Sequence, residues 1–169
     1  MRNTYPNSLV LRVRMPISDD LHPRSFVTKI AGYEKLVNIP NSNSILQDLL
    51  PLAIAMSEHG ETGVYNFTNS GSIGHNEVMS LYKEIIDPSK TWTNFTLEDQ
   101  AHVIKAERSN CELDSTKLMA KVKQYQTEGE DIEVPEIREA YRRCFERMKM
   151  GMQQKGGADM VSADQMGSA

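Results

Sequence analysis

Hydrophobic positions along the chain fall into short blocks whose spacing alternates between strand-like and helix-like. Residues 9–15 (Leu-Val-Leu-Arg-Val-Arg-Met) are a β-rich run ended by Pro16 and predict a buried strand. Alternation puts Arg12 and Arg14 on one face, opposite Leu11 and Val13. A cation in such a place needs a partner or a ligand, because burying it alone is costly. Residues 17–24 are rich in turn formers and predict a loop. Ser25 is placed to cap a short helix reaching about Tyr33, with Phe26, Ile30 and Tyr33 on one face. Residues 36–39 predict a second strand stopped by Pro40, and residues 41–44 a turn. A helix over 45–58 follows, ended by His59-Gly60, with a kink or break expected at Pro51.

Residues 63–67 predict a third strand and 68–74 a loop. Val78, Leu81, Tyr82 and Ile85 fall at helical spacing and predict a helix over 75–86, stopped by Pro88. Thr96 opens a capped helix to about Ile104, and Asp114 a further one over 115–125. Residues 127–134 read as an acidic linker. Pro135 suits a first helical turn, from which a long helix runs to about Gln154. Ile137, Tyr141, Cys144, Phe145 and Met148 form its apolar stripe. Residues 155–169 lack periodicity and read as a disordered tail. Five of the ten methionines lie at or beyond Met148, which suits either a contact surface or a plain frayed helix end. Three short strands among five or six helices do not make a satisfactory sheet. The first begins so near Met1 that the sheet's other strands are expected to belong to something else.

At 169 residues the chain allows one ordinary domain, and 39% hydrophobic residues suffice for a core. A net charge of −4 and a pI near 5.6 argue against nucleic acid or an acidic membrane surface as partners. Two cysteines, Cys111 and Cys144, are too few for a disulfide framework and suit reduced thiols in a cytoplasmic protein. The four histidines show no ligand spacing, so no metal is expected. No apolar run approaches a membrane span, and the polar N-terminus lacks a signal-peptide pattern. Asn66 and Asn94 head sequons that read as chance matches without secretion. Gly-x-Gly-x-x-Gly, Walker, nucleophile-elbow and His-Glu-x-x-His motifs are absent, and so is Tyr-x-x-x-Lys.

One stretch is far more specific than these patterns. Residues 11–30, Leu-Arg-Val-Arg-Met-Pro-Ile-Ser-Asp-Asp-Leu-His-Pro-Arg-Ser-Phe-Val-Thr-Lys-Ile, resemble the C-terminal half of the nucleotide-rhamnose synthases. The likeness continues through Val37-Asn-Ile-Pro-Asn-Ser, Asp48-Leu-Leu-Pro, Gly63-Val-Tyr-Asn-Phe-Thr-Asn and His75-Asn-Glu-Val. It goes on through Trp92-Thr-Asn-Phe-Thr-Leu-Glu to Arg108-Ser-Asn-Cys-Glu-Leu-Asp-Ser-Thr-Lys-Leu, covering roughly residues 5–120. Members are bifunctional UDP-4-keto-6-deoxyglucose 3,5-epimerase/4-reductases, and the chain is more distantly similar to dTDP-4-dehydrorhamnose reductase. The resemblance implies an α/β fold: the C-terminal part of an extended short-chain dehydrogenase, with a Rossmann-like NAD(P)-binding half lying ahead of it. The glycine-rich loop and Tyr-x-x-x-Lys of the family belong to that missing half. Residues 1–126 are then a partial Rossmann edge and substrate-binding domain, and the helix over 135–154 takes a terminal family position.

The resemblance also assigns roles. Lys29, in Phe-Val-Thr-Lys-Ile, stands where the family has an acid–base lysine of epimerisation. Arg14 matches a substrate-contacting position, with an ion pair to Asp19, Asp20 or a residue of the missing half as the structural alternative. Arg24, Arg108 and Asn110 are candidates for the diphosphate or uridine, since arginine forks fit phosphate oxygens. Met15, Pro16 and Ile17 are expected near the nicotinamide of NADPH, or else in core packing and chain turning. Cys111 stands where the family motif has asparagine. The implied partners are a UDP- or dTDP-4-keto-6-deoxy sugar, the Rossmann half in cis or trans, and a second copy of the chain. The rival is a non-catalytic sugar-nucleotide-binding or partner subunit, whose working parts are the acidic linker and the Met-rich helix.

Overall fold

The computed structural model describes residues 7–20, 22–96, 99 and 111–166, with side chains as far as residue 154. The expected helix over 96–104 lies almost wholly outside the described residues, as do Arg108 and Asn110. In chain order the elements are β1 (Leu9–Val13), β2 (Pro16–Ile17), α1 (Phe26–Ala31), β3 (Lys35–Leu36), β4 (Ser44–Ile45) and α2 (Leu46–Glu58). They continue as β5 (Gly63–Phe67), α3 (His75–Ile85), β6 (Thr93–Asn94), α4 (Thr116–Thr127) and α5 (Ile137–Met166).

The described strands form three parallel pairs rather than one sheet. β1 pairs with β5 from Leu9↔Gly63 to Val13↔Phe67, β2 with β4, and β3 with β6. Parallel pairing needs a crossover, and α2 supplies the one that leads into β5. Three expectations change here. The loop expected after Pro16 contains β2, and the second strand is β3, shorter and earlier than 36–39. The first strand stops at Val13, because Met15 takes a left-handed φ of 42° and breaks the extended run before Pro16 does. That strand is also not buried: its first three residues are half-buried, and Arg12 and Val13 are exposed.

α2 runs through Pro51 unbroken. Pro51 lies on the exposed side, where solvent can serve the Gln47 carbonyl that loses its helical donor. α3 starts after Gly74, which has no capping side chain. Asn38 replaces it from a distance: its Oδ1 accepts the Asn76 N–H at 3.1 Å. Asn76 in turn exchanges side-chain hydrogen bonds with Asn94 and accepts one from Trp92 Nε1. A Cβ at Gly74 would fall 2.6 Å from Asn38 Oδ1. Gly74→Ala and Asn38→Ala are therefore each expected to cost about 1 kcal/mol, the usual worth of a cap. Because both remove the same bond, the double variant should melt no lower than the worse single one by much. Additive losses in thermal melts would refute the shared cap.

Two cores result. In the first, Ile17, Val27, Ile30, Leu36 and Ile45 meet Val78 and Met79 of α3 and the α5 stripe. That stripe (Ile137, Tyr141, Cys144, Phe145, Met148) is the one read from the sequence, and all of it is buried. In the second, Leu49, Leu52 and Met56 of α2 pack with Tyr65, Phe67, Leu118, Val122 and Tyr125. The acidic segment expected as a linker is anchored there: Ile132 is buried, and its carbonyl accepts Gln126 Nε2 at 2.8 Å. α5 does not end near Gln154 but continues to Met166. Residues 155–166 hold no proline, so no residue there forbids the helical backbone.

Charge pairs clamp α5 in place. Arg138 meets Glu77, Arg142 meets Glu84, and Arg147 meets Asp19 at 2.9 Å and Asp48 at 3.8 Å. A second polar knot stands beside β5. Glu61 pairs with Lys121 and accepts hydrogen bonds from Tyr65 and Tyr125 at 3.0 and 3.2 Å. Burial alone would raise the Glu61 carboxyl, but the bonds from Lys121 and the two tyrosines outweigh it and hold the group below its ordinary range. A carboxyl depressed in the folded state stabilises above its unfolded pKa, near about 4.3, and that contribution is lost as pH falls through the folded value. Unfolding free energy should therefore decline below about pH 4, and Glu61→Gln should flatten that limb. An unchanged acid limb in denaturant titrations would remove Glu61 from the account.

Candidate functional site

Lys29 sits at the last turn of α1 on the wall of a cleft of about 700 Å³. α1 follows from the sequence: Val27 and Ile30 anchor it in the first core, which leaves Lys29 on the outward side. Its ammonium has no hydrogen-bond or ion-pair partner among the described residues. Phe26, Tyr33 and Phe95 give the cleft aromatic walls, with Leu36 and Val37 between them. Lys35 adds a second cation, 5.7 Å from the Phe95 ring centre. His75, the first residue of α3, closes one end with its ring centre 5.4 Å from that of Phe26.

Phe26 and His75 also line a small adjoining hollow together with Met15, Asn41 and Asn43. This hollow lies just past the C-terminal end of β1 and has no room for a water-sized molecule. Arg14 holds its edge: Nη2 donates to Asn41 Oδ1 at 2.8 Å, and the main-chain N–H donates to Ser44 Oγ at 3.1 Å. Cys111 N–H donates to the same Asn41 oxygen at 3.2 Å. The ion pair considered for Arg14 is not formed with Asp19 or Asp20. Asp19 is taken by Arg147 and Gln47, and Asp20 by Ser18 and the His22 N–H.

The remaining candidates divide. Met15 reaches the hollow and Pro16 is exposed beside it, but Ile17 is wholly buried in the first core. Ile17 therefore takes the packing alternative, with no side-chain surface for a nicotinamide. Arg24 is exposed in the turn before α1 and does not line the cleft. Cys144 is fully buried, and burial pushes its thiol up to about 12, so it is no nucleophile. Among the described residues no group of metal-ligating side chains exists, and no helix is long and apolar enough to cross a membrane. Sequence reasoning missed Tyr33, Lys35, His75 and Phe95 as cleft residues. His75 alone carried a signal, as the first residue of a helix opened by a bare glycine.

Parallel strand pairs with helices packed against them, and a cation-bearing cleft beside them, define an α/β fold. The fold is similar to a Yersinia enterocolitica dTDP-4-dehydrorhamnose reductase, with a TM-score of 0.62 at 18% identity over 87% of this chain and 52% of that one. It is similar at a TM-score of 0.75 and 37% identity to the crystal structure of the L780 UDP-rhamnose synthase of Acanthamoeba polyphaga mimivirus, over 86% of this chain and 48% of that one. In sequence it is 62% identical over 115 residues to an Arabidopsis thaliana bifunctional dTDP-4-dehydrorhamnose 3,5-epimerase/dTDP-4-dehydrorhamnose reductase. It is 54% identical to a trifunctional UDP-glucose 4,6-dehydratase/UDP-4-keto-6-deoxy-D-glucose 3,5-epimerase/UDP-4-keto-L-rhamnose-reductase of the same plant. No family model matches the chain. Over its matched residues the chain belongs to the nucleotide-rhamnose synthase family. It spans 38% of the bifunctional relative and 17% of the trifunctional one.

Proposed function

We propose that this chain is the sugar-nucleotide-binding part of an epimerase/reductase that turns UDP-4-keto-6-deoxyglucose into UDP-L-rhamnose. One observation carries the reading: a lysine with no partner among the described residues, in the family's Phe-Val-Thr-Lys-Ile context, on the wall of a cleft large enough for a sugar nucleotide. The 4-keto group makes the C3 and C5 hydrogens acidic. In its neutral form the Lys29 amine takes such a proton as the C–H electrons move toward the carbonyl oxygen, and the ammonium returns a proton to carbon. The aromatic walls suit the flat base, and Lys35 and Arg14 suit the diphosphate. Arg24, Arg108 and Asn110 stay candidates for that same grip.

NADPH, when bound, supplies hydride to C4. This chain's residues fit only the edge of such a cofactor: Met15 and Pro16 present surface at the end of β1, and the sequence holds no glycine-rich turn. The Rossmann half, in cis or trans, is accordingly the proposed site of cofactor binding. The rival partner-subunit reading takes the acidic linker and the Met-rich helix as working parts; the α5 stripe as far as Met148 lies in the first core, and Met150 and Met152 are exposed.

The test is calorimetric titration of the 169-residue chain with UDP and with dTDP, beside an assay of NADPH oxidation. UDP should bind, with Lys35→Ala weakening it severalfold. The chain alone should oxidise no NADPH, because it has neither the cofactor loop nor the proton-donating tyrosine. Absence of binding by either nucleotide would reject the reading, and NADPH turnover by the chain alone would reject the division of labour.

A further inference from the structure

We propose that Glu34 is a specificity-determining residue of the cleft. Its carboxylate accepts the ribose 2′- and 3′-hydroxyls of the nucleotide and so selects UDP over dTDP, which lacks the 2′-hydroxyl. The inference deepens the proposed function and rests on it, since it takes the cleft to be the sugar-nucleotide site.

The relatives leave the nucleotide open. Two of those above carry dTDP in their names and two carry UDP. The two nucleotides differ at the base methyl and at the ribose 2′-hydroxyl. Only the hydroxyl is a hydrogen-bond donor that a side chain can read.

Glu34 is the only acidic residue among the described residues that line the cleft. It is exposed, and its carboxylate makes no hydrogen bond or ion pair among the described residues. Lys35, its neighbour in the chain, meets Asp99 at 4.0 Å instead. A carboxylate beside a bound diphosphate opposes binding unless the ligand brings it donors. On a sugar nucleotide those donors are mainly hydroxyls, and the vicinal pair of ribose offers one to each carboxylate oxygen.

The backbone on either side of Glu34 is pinned. Tyr33 N–H donates to the Ile30 carbonyl at 3.1 Å and closes α1. Lys90 Nζ donates to the Tyr33 carbonyl at 3.2 Å. The Glu34 carbonyl accepts the Thr93 N–H at 2.9 Å and Thr93 Oγ1 at 3.4 Å, which ties it to β6. The main chain is thus already ordered, and ligand binding has only a side chain left to fix. Position along the ligand follows from the lysines. Lys29 acts on the hexose and Lys35 suits the diphosphate, and Glu34 stands directly beside Lys35 in the chain. A negative charge next to the hexose would oppose the charge that gathers on the C4 oxygen as Lys29 takes a proton. Next to the ribose it opposes no reacting group.

Calorimetric titration of the 169-residue chain with UDP, 2′-deoxy-UDP and dTDP tests the assignment. UDP should bind about tenfold tighter than 2′-deoxy-UDP, the usual worth of a hydrogen bond to a charged acceptor. Comparing 2′-deoxy-UDP with dTDP isolates the methyl. Glu34→Ala should bring the ratio of UDP to 2′-deoxy-UDP affinity close to one, and Glu34→Asp, which keeps the carboxylate, should retain part of it. The ratio is the readout, because removing a negative charge strengthens every nucleoside diphosphate alike. The proposal is overturned if the unaltered chain binds UDP and 2′-deoxy-UDP equally, a comparison that needs no variant. It is also overturned if the ratio survives in Glu34→Ala. UDP binding without discrimination at the 2′ position rejects this inference alone, whereas no binding of UDP rejects the proposed function and the inference with it.

Discussion

Lys29→Ala is expected to reduce the wash-in of solvent deuterium at C3 and C5 of UDP-4-keto-6-deoxyglucose by about 10²–10⁴-fold, the usual contribution of a positioned acid–base group. The assay belongs in the assembled enzyme, this chain with a cofactor-binding half. The magnitude follows from the surroundings of the side chain. Lys29 is exposed to the cleft, is held at its base by Val27 and Ile30, and makes no ion pair among the described residues that would occupy its amine. Lys29→Arg should fail as badly, because a guanidinium keeps its proton in proteins and takes none from carbon. UDP itself should still bind to both variants, since it lacks the sugar on which the lysine acts. Deuterium exchange that survives in either variant would return Lys29 to an ordinary surface role.

Phe145→Ala should destabilise the chain by about 3–5 kcal/mol, a fall in melting temperature on the order of 10 °C. Phe145 is fully buried where α5 crosses α3. Its ring meets Tyr82 edge-on at 5.8 Å and Tyr141 at 5.6 Å, so truncation opens a cavity and removes two aromatic contacts. The loss reaches the cleft through packing: the core that holds Phe145 also holds Val27 and Ile30 beneath Lys29. Met150→Ala, two turns or less away but 54% exposed, should change stability by no more than about 0.5 kcal/mol. Equal melting of the two variants would mean that α5 is not part of the core. Glu–Arg pairs along the same helix are exposed and are expected to contribute far less.

Much of the element order could be read from periodicity alone. The expected helices over 75–86 and 115–125 are α3 at His75–Ile85 and α4 at Thr116–Thr127, and the third strand matches β5. The α5 stripe is also the buried one, because i, i+4 spacing of large apolar residues is a local property that the backbone cannot evade. Local motif and resemblance likewise singled out Lys29 before any geometry was known.

Pairing and convergence needed the tertiary structure. β2, β4 and β6 are two residues long, too short to carry a period, and exist because distant segments meet. The run at residues 9–15 looked buried because its composition is that of an interior strand. Among the described residues it pairs with β5 alone, and Arg12 and Val13 at its end are exposed. The Asn38 cap of α3 and the assembly of Lys35, His75 and Phe95 around Lys29 join residues dozens of positions apart. By itself the sequence determined most of the helical segments short of the extension of α5 to Met166, which faces are apolar and which lysine to test. The tertiary structure decided strand partners, the left-handed Met15 turn and the walls of the cleft, since those depend on long-range contacts that leave no periodic trace in the chain.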